Sequence, residues 1–208
     1  MSDIAETPPV VYIVDDDPAV REALESLFES SGMRTVAFAS AQEFLYYERE
    51  PGPACMVLDV RMPLVSGLDL QSMLTGSSHP VPIVFITGHG DIPMSVQAMK
   101  GGALEFLTKP FDDQQLLDAV GRGLAQDRIW RAERQAHQSV QQRFDALSPR
   151  QKEVMAGVIA GKLNREIAAE LGLSEITVKV HRGLMMEKMR VHSIAALMQL
   201  AQQLDQPR

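Results

Sequence analysis

Five polar side chains stand at the ends of short apolar runs: Asp15, Asp16, Asp59, Thr87 and Lys109. Neighbouring carboxylates such as Asp15 and Asp16 repel each other unless a cation shares them, and Mg²⁺ prefers such oxygen ligands. Asp59 is a candidate nucleophile, because carboxylates form acyl phosphates. Its attack on phosphorus requires the charge on the phosphoryl oxygens to be neutralised, which suits a metal ion, the Lys109 ammonium and the Thr87 hydroxyl.

The run "DDD" at residues 15–17 also has a simpler explanation. Asp17 precedes Pro18, and Asp before Pro is typical of a helix N-cap, so we expect Asp17 to cap a helix. Taken alone, the other two aspartates could belong only to that helix start. Asp59 favours the chemical interpretation, because it ends a different apolar run.

Apolar runs and helical patterns alternate five times over the first 120 or so residues. The apolar runs are "VVYIV" (10–14), "TVAFA" (35–39), "CMVLDV" (55–60), "PIVFIT" (82–87) and "EFLTK" (105–109). Runs without polar alternation are typical of strands buried on both faces. The order predicts an α/β fold with a doubly wound, five-stranded parallel sheet. Ligands bind beyond the carboxyl ends of such strands, so we expect the five polar side chains to meet there.

The charge distribution divides the chain into an acidic and a basic part. The 208 residues are enough for two domains. Residues 1–123 contain 7 Lys and Arg against 18 Asp and Glu, a net charge of −11. Residues 148–208 contain 9 against 6, a net charge of +3. A basic surface can attract nucleic acid whereas an acidic one does not, which indicates two different tasks.

The sequence disfavours a membrane protein and a protein with internal disulfide bonds. No apolar run approaches the roughly 18 residues of a membrane span. The start, "MSDIAETPP", is acidic and polar, unlike a secretory signal, so we expect a cytoplasmic protein with no membrane partner. The single Cys55 excludes an internal disulfide and a cysteine-based metal cluster, and we expect it in the core.

The C-terminal part is helical throughout. Residues 126–146 are charged and Gln-rich, so they continue the fifth helix or form a helical linker. Residues 147–208 predict a small all-α domain of four helices. Within it, residues 164–189 form a helix-turn-helix pattern, in which Gly172 permits the turn and Ser174 caps the second helix. The start of such a second helix is presented to the DNA major groove.

Residues 8–125 resemble the receiver domain of two-component response regulators. The motifs "YIVDDDPAVR", "VLDVRMPLVSGLDL" and "PIVFITGHGDIPMSVQAMKGGALEFLTKPF" carry the resemblance, and "TGHGDIPM" is similar to the FixJ branch. The resemblance implies a receiver-like (flavodoxin-like) sheet with Asp59 as the phosphoacceptor. It implies a Mg²⁺ or Mn²⁺ ion bound directly by Asp16, Asp59 and the backbone carbonyl of Arg61, with Asp15 acting largely through water.

The same resemblance assigns the remaining residues of the site. Thr87 and Lys109 bind the phosphoryl oxygens, and the Lys109–Pro110 bond is cis. Phe106 occupies the position of a rotating aromatic switch, although a plain core aromatic remains the alternative. His89 lies in a loop, and we expect no catalytic role for it, because the acyl phosphate forms on Asp59.

Residues 147–204 resemble the LuxR/NarL-type DNA-binding domain. The DNA-binding residues that this resemblance and the outward face of the second helix imply are Asn164, Arg165, Thr177, Lys179, Val180 and Arg182. Of these, Lys179 and Val180 are base contacts, Arg182 contacts a base or a phosphate, and Asn164 and Arg165 contact phosphates. Gly183 replaces a DNA-contacting Lys of several relatives, which leaves the preferred DNA sequence open. His181 either packs inside the domain or contacts DNA.

Together, the two resemblances imply a transcriptional response regulator of the FixJ/NarL type. A partner sensor histidine kinase would phosphorylate Asp59. The protein would then dimerise, bind promoter DNA, contact RNA polymerase and act as an activator. It would not be an enzyme, since it accepts and loses only its own phosphoryl group.

Two alternatives compete with this interpretation. Aspartate-nucleophile phosphohydrolases use similar residues, but their nucleophile follows strand 1 in a "DxDx" pattern, and this chain has little sequence for a cap. A DNA-binding regulator whose receiver-like domain only docks is the second alternative. The presence of all five site residues disfavours it.

Overall fold

The computed structural model describes residues 7–77, 80–88 and 92–204, which form two compact units. The division between the units falls between Arg131 and Ala132. The expectation about His89 lies outside the described residues. Within the described ranges, no helix is both long and apolar enough to cross a membrane.

The first unit contains a parallel sheet of five strands. They are β1 (Val10–Val14), β2 (Arg34–Phe38), β3 (Ala54–Asp59), β4 (Ile83–Thr87) and β5 (Glu105–Thr108). The strand order is β2-β1-β3-β4-β5, and every neighbouring pair is parallel. This is the flavodoxin-like doubly wound order, which confirms the predicted fold class. The first residue of each strand lies within one residue of the start of the corresponding predicted apolar run.

Within the described ranges, five helices connect and follow these strands. They are α1 (Pro18–Ser30), α2 (Ala41–Tyr46), α3 (Gly67–Thr75), α4 (Ile92–Lys100) and α5 (Asp113–Asp145). As predicted, Asp17 caps α1, and its carboxylate accepts a hydrogen bond of 2.9 Å from the Ala19 amide. Ser66 caps α3 by accepting a hydrogen bond from the Asp69 amide, and the Asp69 carboxylate accepts one from the Ser66 amide, so this helix has a reciprocal capping box.

Both faces of the sheet are buried, which explains why the strands lack polar alternation. Successive residues of a strand point to opposite faces. Tyr12 and Met56 lie in one core cluster, together with buried residues of α2, α3 and α4. Val11 and Cys55 lie in a second cluster, together with buried residues of α1 and α5. The expectation that Cys55 is a core residue is confirmed, because its side chain is fully buried.

The second unit contains the four predicted helices. They are α6 (Pro149–Ile159), α7 (Asn164–Leu171), α8 (Glu175–Met189) and α9 (Ile194–Leu204). Gly172 ends α7 in the left-handed conformation with φ of 66°, which glycine adopts without a side-chain clash. Ser174 caps α8 by accepting a bond from the Thr177 amide. The core is formed by buried residues from all four helices, among them Val154, Ile167, Met185 and Leu197.

Helix α5 contributes to the core of both units. It is unbroken from Asp113 to Asp145 and therefore includes nearly all of residues 126–146. Leu116 and Val120 pack into the first unit, whereas Val140 is buried in the core of the second. The last turns of α5 are therefore packed as part of the second unit rather than solvated on all sides.

Candidate functional site

The carboxyl ends of the strands bring the predicted chemical residues to one edge of the sheet. Asp15 follows β1, Asp59 ends β3, Thr87 ends β4 and Lys109 follows β5. Asp15, Asp59 and Thr87 are 1%, 6% and 1% exposed. Buried polar side chains need partners, since an unpaired buried charge is strongly unfavourable.

Lys109 supplies that partner for two of the carboxylates. Its Nζ donates to Oδ2 of Asp15 at 2.8 Å and to Oδ1 of Asp59 at 3.1 Å. The Lys109 amide also donates to the carbonyl of Thr87 at 2.7 Å, which fixes the chain just beyond β5 beside the end of β4. One ammonium group therefore bridges carboxylates that stand 44 residues apart in the chain.

The Asp59 carboxylate is held by a second donor from its own loop. Its Oδ2 accepts a bond of 2.6 Å from the Arg61 amide. Burial raises the pKa of the Asp59 carboxyl, and the nearby Asp15 charge adds to this effect. The hydrogen bonds from Lys109 and Arg61 offset only part of it. Burial therefore makes the negative charge of the Asp59 carboxylate less favourable than it is in water.

The Lys109 ammonium remains charged in these surroundings. Burial alone would lower its pKa, but the hydrogen bonds and negative charges of Asp15 and Asp59 outweigh that effect, so the pKa lies above its ordinary value. The site thus has a permanent cation beside the candidate nucleophile.

Asp16 differs from Asp15 and Asp59, because its side chain is exposed. Asp15 and Asp59 are brought together, but among the described residues no group of three His, Cys, Asp or Glu side chains is assembled as a metal site. The donor chemistry nevertheless fits a hard divalent cation. The buried carboxylates of Asp15 and Asp59, the exposed carboxylate of Asp16 and the carbonyl of Arg61 all offer oxygen, which such cations prefer as a ligand.

Phe106 lies on β5 next to this edge. Its ring is half-buried, packs against the core, and has its centroid 6.2 Å from that of Phe85. The Lys109–Pro110 bond is cis, as the resemblance implied.

Gly67, the first residue of α3, was not identified from the sequence as part of the site. A Cβ atom at this position would lie 2.2 Å from the carbonyl oxygen of Asp59. The Gly67 amide also donates to the carbonyl of Val60 at 3.0 Å. The start of α3 therefore packs directly on the strand end that presents Asp59, and only glycine fits there. Gly67 stands in the motif "VLDVRMPLVSGLDL", but its residue types give no sign of this close approach.

The predicted DNA-binding residues of α8 differ in exposure. Lys179 and Val180 are exposed, as expected for base contacts, whereas Thr177 is half-buried. The Thr177 hydroxyl shares a hydrogen bond of 2.8 Å with the hydroxyl of Ser174 and so belongs to the cap of α8.

Arg182 and Asn164 are brought together by the fold. Nη1 of Arg182 donates to Oδ1 of Asn164 at 2.9 Å, and both residues are half-buried. Arg165 is exposed at the start of α7. His181 is half-buried, and its Nδ1 is buried with no hydrogen-bond partner within the described ranges. This environment favours packing for His181.

The fold and the two sites define a class of protein: a flavodoxin-like domain with an Asp-Asp-Lys cluster at its carboxyl edge, followed by a helix-turn-helix unit. The family model of the response regulator receiver domain matches residues 11–121. The model of bacterial regulatory proteins of the luxR family matches residues 145–201. The chain belongs to the two-component response regulators that join a receiver domain to a LuxR-type DNA-binding domain. These are transcriptional regulators rather than enzymes with a separate substrate.

Individual relatives are similar over nearly the whole chain. Nodulation protein W of Bradyrhizobium diazoefficiens is 48% identical over 96% of this chain and 88% of its own length. The transcriptional regulatory protein FixJ of the same organism is 39% identical over 92% of this chain and 93% of its own length. The solved structure of the response regulator StyR has a TM-score of 0.84 and 47% identity, and the match covers 94% of this chain and 99% of StyR.

Proposed function

We propose that this chain regulates transcription and is switched by Mg²⁺-dependent phosphorylation of Asp59. The observation that carries the proposal is the bridge from Lys109 to both Asp15 and Asp59 at the carboxyl edge of the sheet. It puts a fixed positive charge beside a buried carboxylate, at the edge where doubly wound sheets bind ligands. The family implies a kinase partner, and we propose that it is a sensor histidine kinase.

In the proposed reaction, a carboxylate oxygen of Asp59 forms the bond to phosphorus. The bond from phosphorus to the donor's histidine nitrogen breaks, and the electron pair leaves with the imidazole. The Lys109 ammonium and the Thr87 hydroxyl bind the phosphoryl oxygens, so that charge is balanced as the group transfers.

Receiver domains typically use a divalent metal, and we propose Mg²⁺ or Mn²⁺ here. The residues that would hold it are Asp15, Asp16, Asp59 and, through its backbone carbonyl, Arg61. When bound, the ion supplies additional positive charge to the phosphoryl oxygens. Asp16 suits this role because its exposed carboxylate is not engaged by Lys109.

We propose that the phosphoryl group changes the surface around Phe106. Phosphorylation adds nearly two negative charges at Asp59, which would draw Thr87 towards it and let the Phe106 ring turn inward. Two phosphorylated copies would then dimerise and place two helix-turn-helix units on one promoter, which raises affinity through bivalency. The dimer would activate transcription through contact with RNA polymerase in the cytoplasm, where bacterial DNA lies.

The proposed division of the chain is a receiver domain over residues 8–125, a helical linker over 126–146 and a DNA-binding domain over 147–208. Burial of Val140 supports folding of the end of the linker with the DNA-binding domain. The proposed DNA-binding residues are Asn164, Arg165, Thr177, Lys179, Val180 and Arg182.

Intact mass spectrometry tests the phosphorylation site. The full chain is incubated with Mg²⁺ and a small acyl phosphate, beside Asp59→Asn and the control Asp118→Asn, which alters an exposed carboxylate of α5. We expect the wild type and Asp118→Asn to gain one phosphoryl group and Asp59→Asn to gain none. A phosphoryl adduct on the wild type and on both variants would mean that another residue is the nucleophile.

Beryllofluoride, a mimic of the phosphoryl group, tests the switch even if the phosphoryl adduct hydrolyses before it is detected. Sedimentation velocity is recorded with and without beryllofluoride, and we expect the dimer only with it. If neither a mass adduct nor a beryllofluoride effect occurred, the phosphorylation switch would be refuted, and the receiver would serve only for docking.

A further inference from the structure

Three large apolar side chains stand exposed along one side of α8. Ile176, Val180 and Leu184 are 76%, 55% and 45% exposed. Residues four apart in a helix lie on the same side, so the three form one continuous strip, which we call the apolar ridge. At 3.6 residues per turn, the apolar ridge lies opposite the buried side of the helix, which consists of Val178, Met185 and Met189.

A glycine stands in the middle of this exposed side. Gly183 lies inside α8, one residue before Leu184, and is exposed. Its φ is not positive, and a Cβ atom added to it would meet nothing within 4 Å. Glycine is the poorest helix former after proline, and the packing of α8 does not require it at position 183. Glycine at such a position is expected where another molecule approaches the backbone closely.

The surroundings of the apolar ridge favour DNA as that molecule. The ridge lies on the second helix of the helix-turn-helix, the element that enters the major groove. Lys179 is exposed beside it, and Arg165 is exposed at the start of α7, so cations are available for the flanking phosphates. In the major groove, the apolar group that a base presents is the 5-methyl of thymine.

We propose that α8 recognises thymine 5-methyl groups through the apolar ridge, and that Ile176 and Leu184 are specificity-determining residues. Gly183 lets the edge of the groove approach the helix between Val180 and Leu184. The proposal rests on the proposed DNA-binding function of the second unit. It adds Ile176 and Leu184 to the proposed base-contacting residues, and it identifies the thymine 5-methyl group as what they contact.

The experiment uses the full chain with beryllofluoride and a duplex enriched from a random-sequence DNA library. Each thymine of this duplex is replaced in turn by deoxyuridine, which lacks only the 5-methyl group. The Kd is measured by fluorescence anisotropy for the wild type, Ile176→Ala and Leu184→Ala. Met73→Ala is the matched control, because it truncates an exposed apolar side chain on α3.

We expect deoxyuridine to weaken wild-type binding about fourfold at one or more thymines, the loss typical of one unburied methyl group. At such a thymine, Ile176→Ala or Leu184→Ala should bind the two duplexes equally, whereas Met73→Ala should behave as the wild type. The proposal would be overturned if deoxyuridine changed the Kd equally for the wild type and both ridge variants. It would also be overturned if deoxyuridine changed the Kd at no thymine, and in either case the proposed DNA binding would still stand.

Two further results would also overturn it. If the ridge variants altered self-association in sedimentation and left thymine discrimination unchanged, the apolar ridge would be a protein interface. If the library gave no enriched duplex and the chain bound no DNA, the proposed function would fail first, and this inference with it.

Discussion

Arg143, near the end of α5, donates a hydrogen bond of 2.9 Å to the carbonyl oxygen of Met189, the last residue of α8. In return, Nζ of Lys188 on α8 donates to the carbonyl of Ala146, just beyond α5, at 3.0 Å. The final carbonyls of a helix have no partner within it, and cations are favourable at that end. Each of these helices therefore supplies the cation that caps the other.

Replacing Arg143 by Met should loosen the end of α8. Arg143→Met keeps an unbranched apolar side chain but removes the donor to Met189. We expect the second unit to lose about 1 kcal/mol of unfolding free energy in urea denaturation, as is typical for one hydrogen bond. Arg165→Met is the control, because Arg165 is exposed on α7. Equal losses in both variants would contradict the capping role.

Asp127 should be essential for the stability of the first unit. Its side chain is fully buried, and Oδ2 accepts bonds from the Ala54 amide at 2.8 Å and from Nε of Arg131 at 2.6 Å. Asp127→Ala leaves a buried amide and a guanidinium without this acceptor, so we expect a loss of roughly 3 kcal/mol. Asp118→Ala, on the exposed side of the same helix, should change stability far less in the same thermal and urea unfolding experiments.

Gly67→Ala should slow phosphorylation because it displaces Asp59, although the Asp59 carboxylate itself is unchanged. The added methyl group would lie 2.2 Å from the Asp59 carbonyl oxygen, so the strand end or α3 must shift. We expect a slower gain of the phosphoryl group from an acyl phosphate, together with a lower Tm. Gly76→Ala is the control, because a Cβ atom there meets nothing within 4 Å. An unchanged rate in Gly67→Ala would show that the site tolerates this shift.

Gly183→Ala should stabilise the second unit and weaken its binding to DNA. Ala is the better helix former by roughly 1 kcal/mol, and the site has room for the methyl group. Gly121→Ala on α5 is matched, because its Cβ atom also meets nothing within 4 Å. We expect both variants to raise stability, but only Gly183→Ala to raise the Kd for the enriched duplex. Unchanged DNA affinity would mean that nothing approaches Gly183 closely.

Cys55 should be unreactive in the native protein. Burial raises the pKa of its thiol to about 12, so at pH 8 nearly all of the protein carries the neutral thiol. A thiolate becomes more abundant as pH rises, yet burial still blocks access, so we expect no fast reaction with a disulfide reagent at pH 8. In guanidinium chloride, one thiol per chain should react. Rapid native labelling would reveal frequent opening of the sheet.

The sequence by itself determined the order of the elements and the residue types at the strand ends. Strands buried on both faces must be apolar at each position, so the five strands were predicted with starts correct to within one residue. The predicted helix caps were equally local, since Asp17 and Ser174 accept hydrogen bonds from amides only two and three residues away. The grouping of Asp15, Asp59, Thr87 and Lys109 at one edge followed from the parallel order alone.

Only the tertiary structure decided which of these side chains meet. Lys109 bridges Asp15 and Asp59 while Asp16 stays exposed, because neighbouring residues at a strand end point in different directions. The requirement for glycine at position 67 depends on the packing of α3 against β3. Burial of Val140 and the pairing of Arg182 with Asn164 likewise depend on contacts between helices. Such contacts join residues distant in the chain, and no local pattern of residue types contains them.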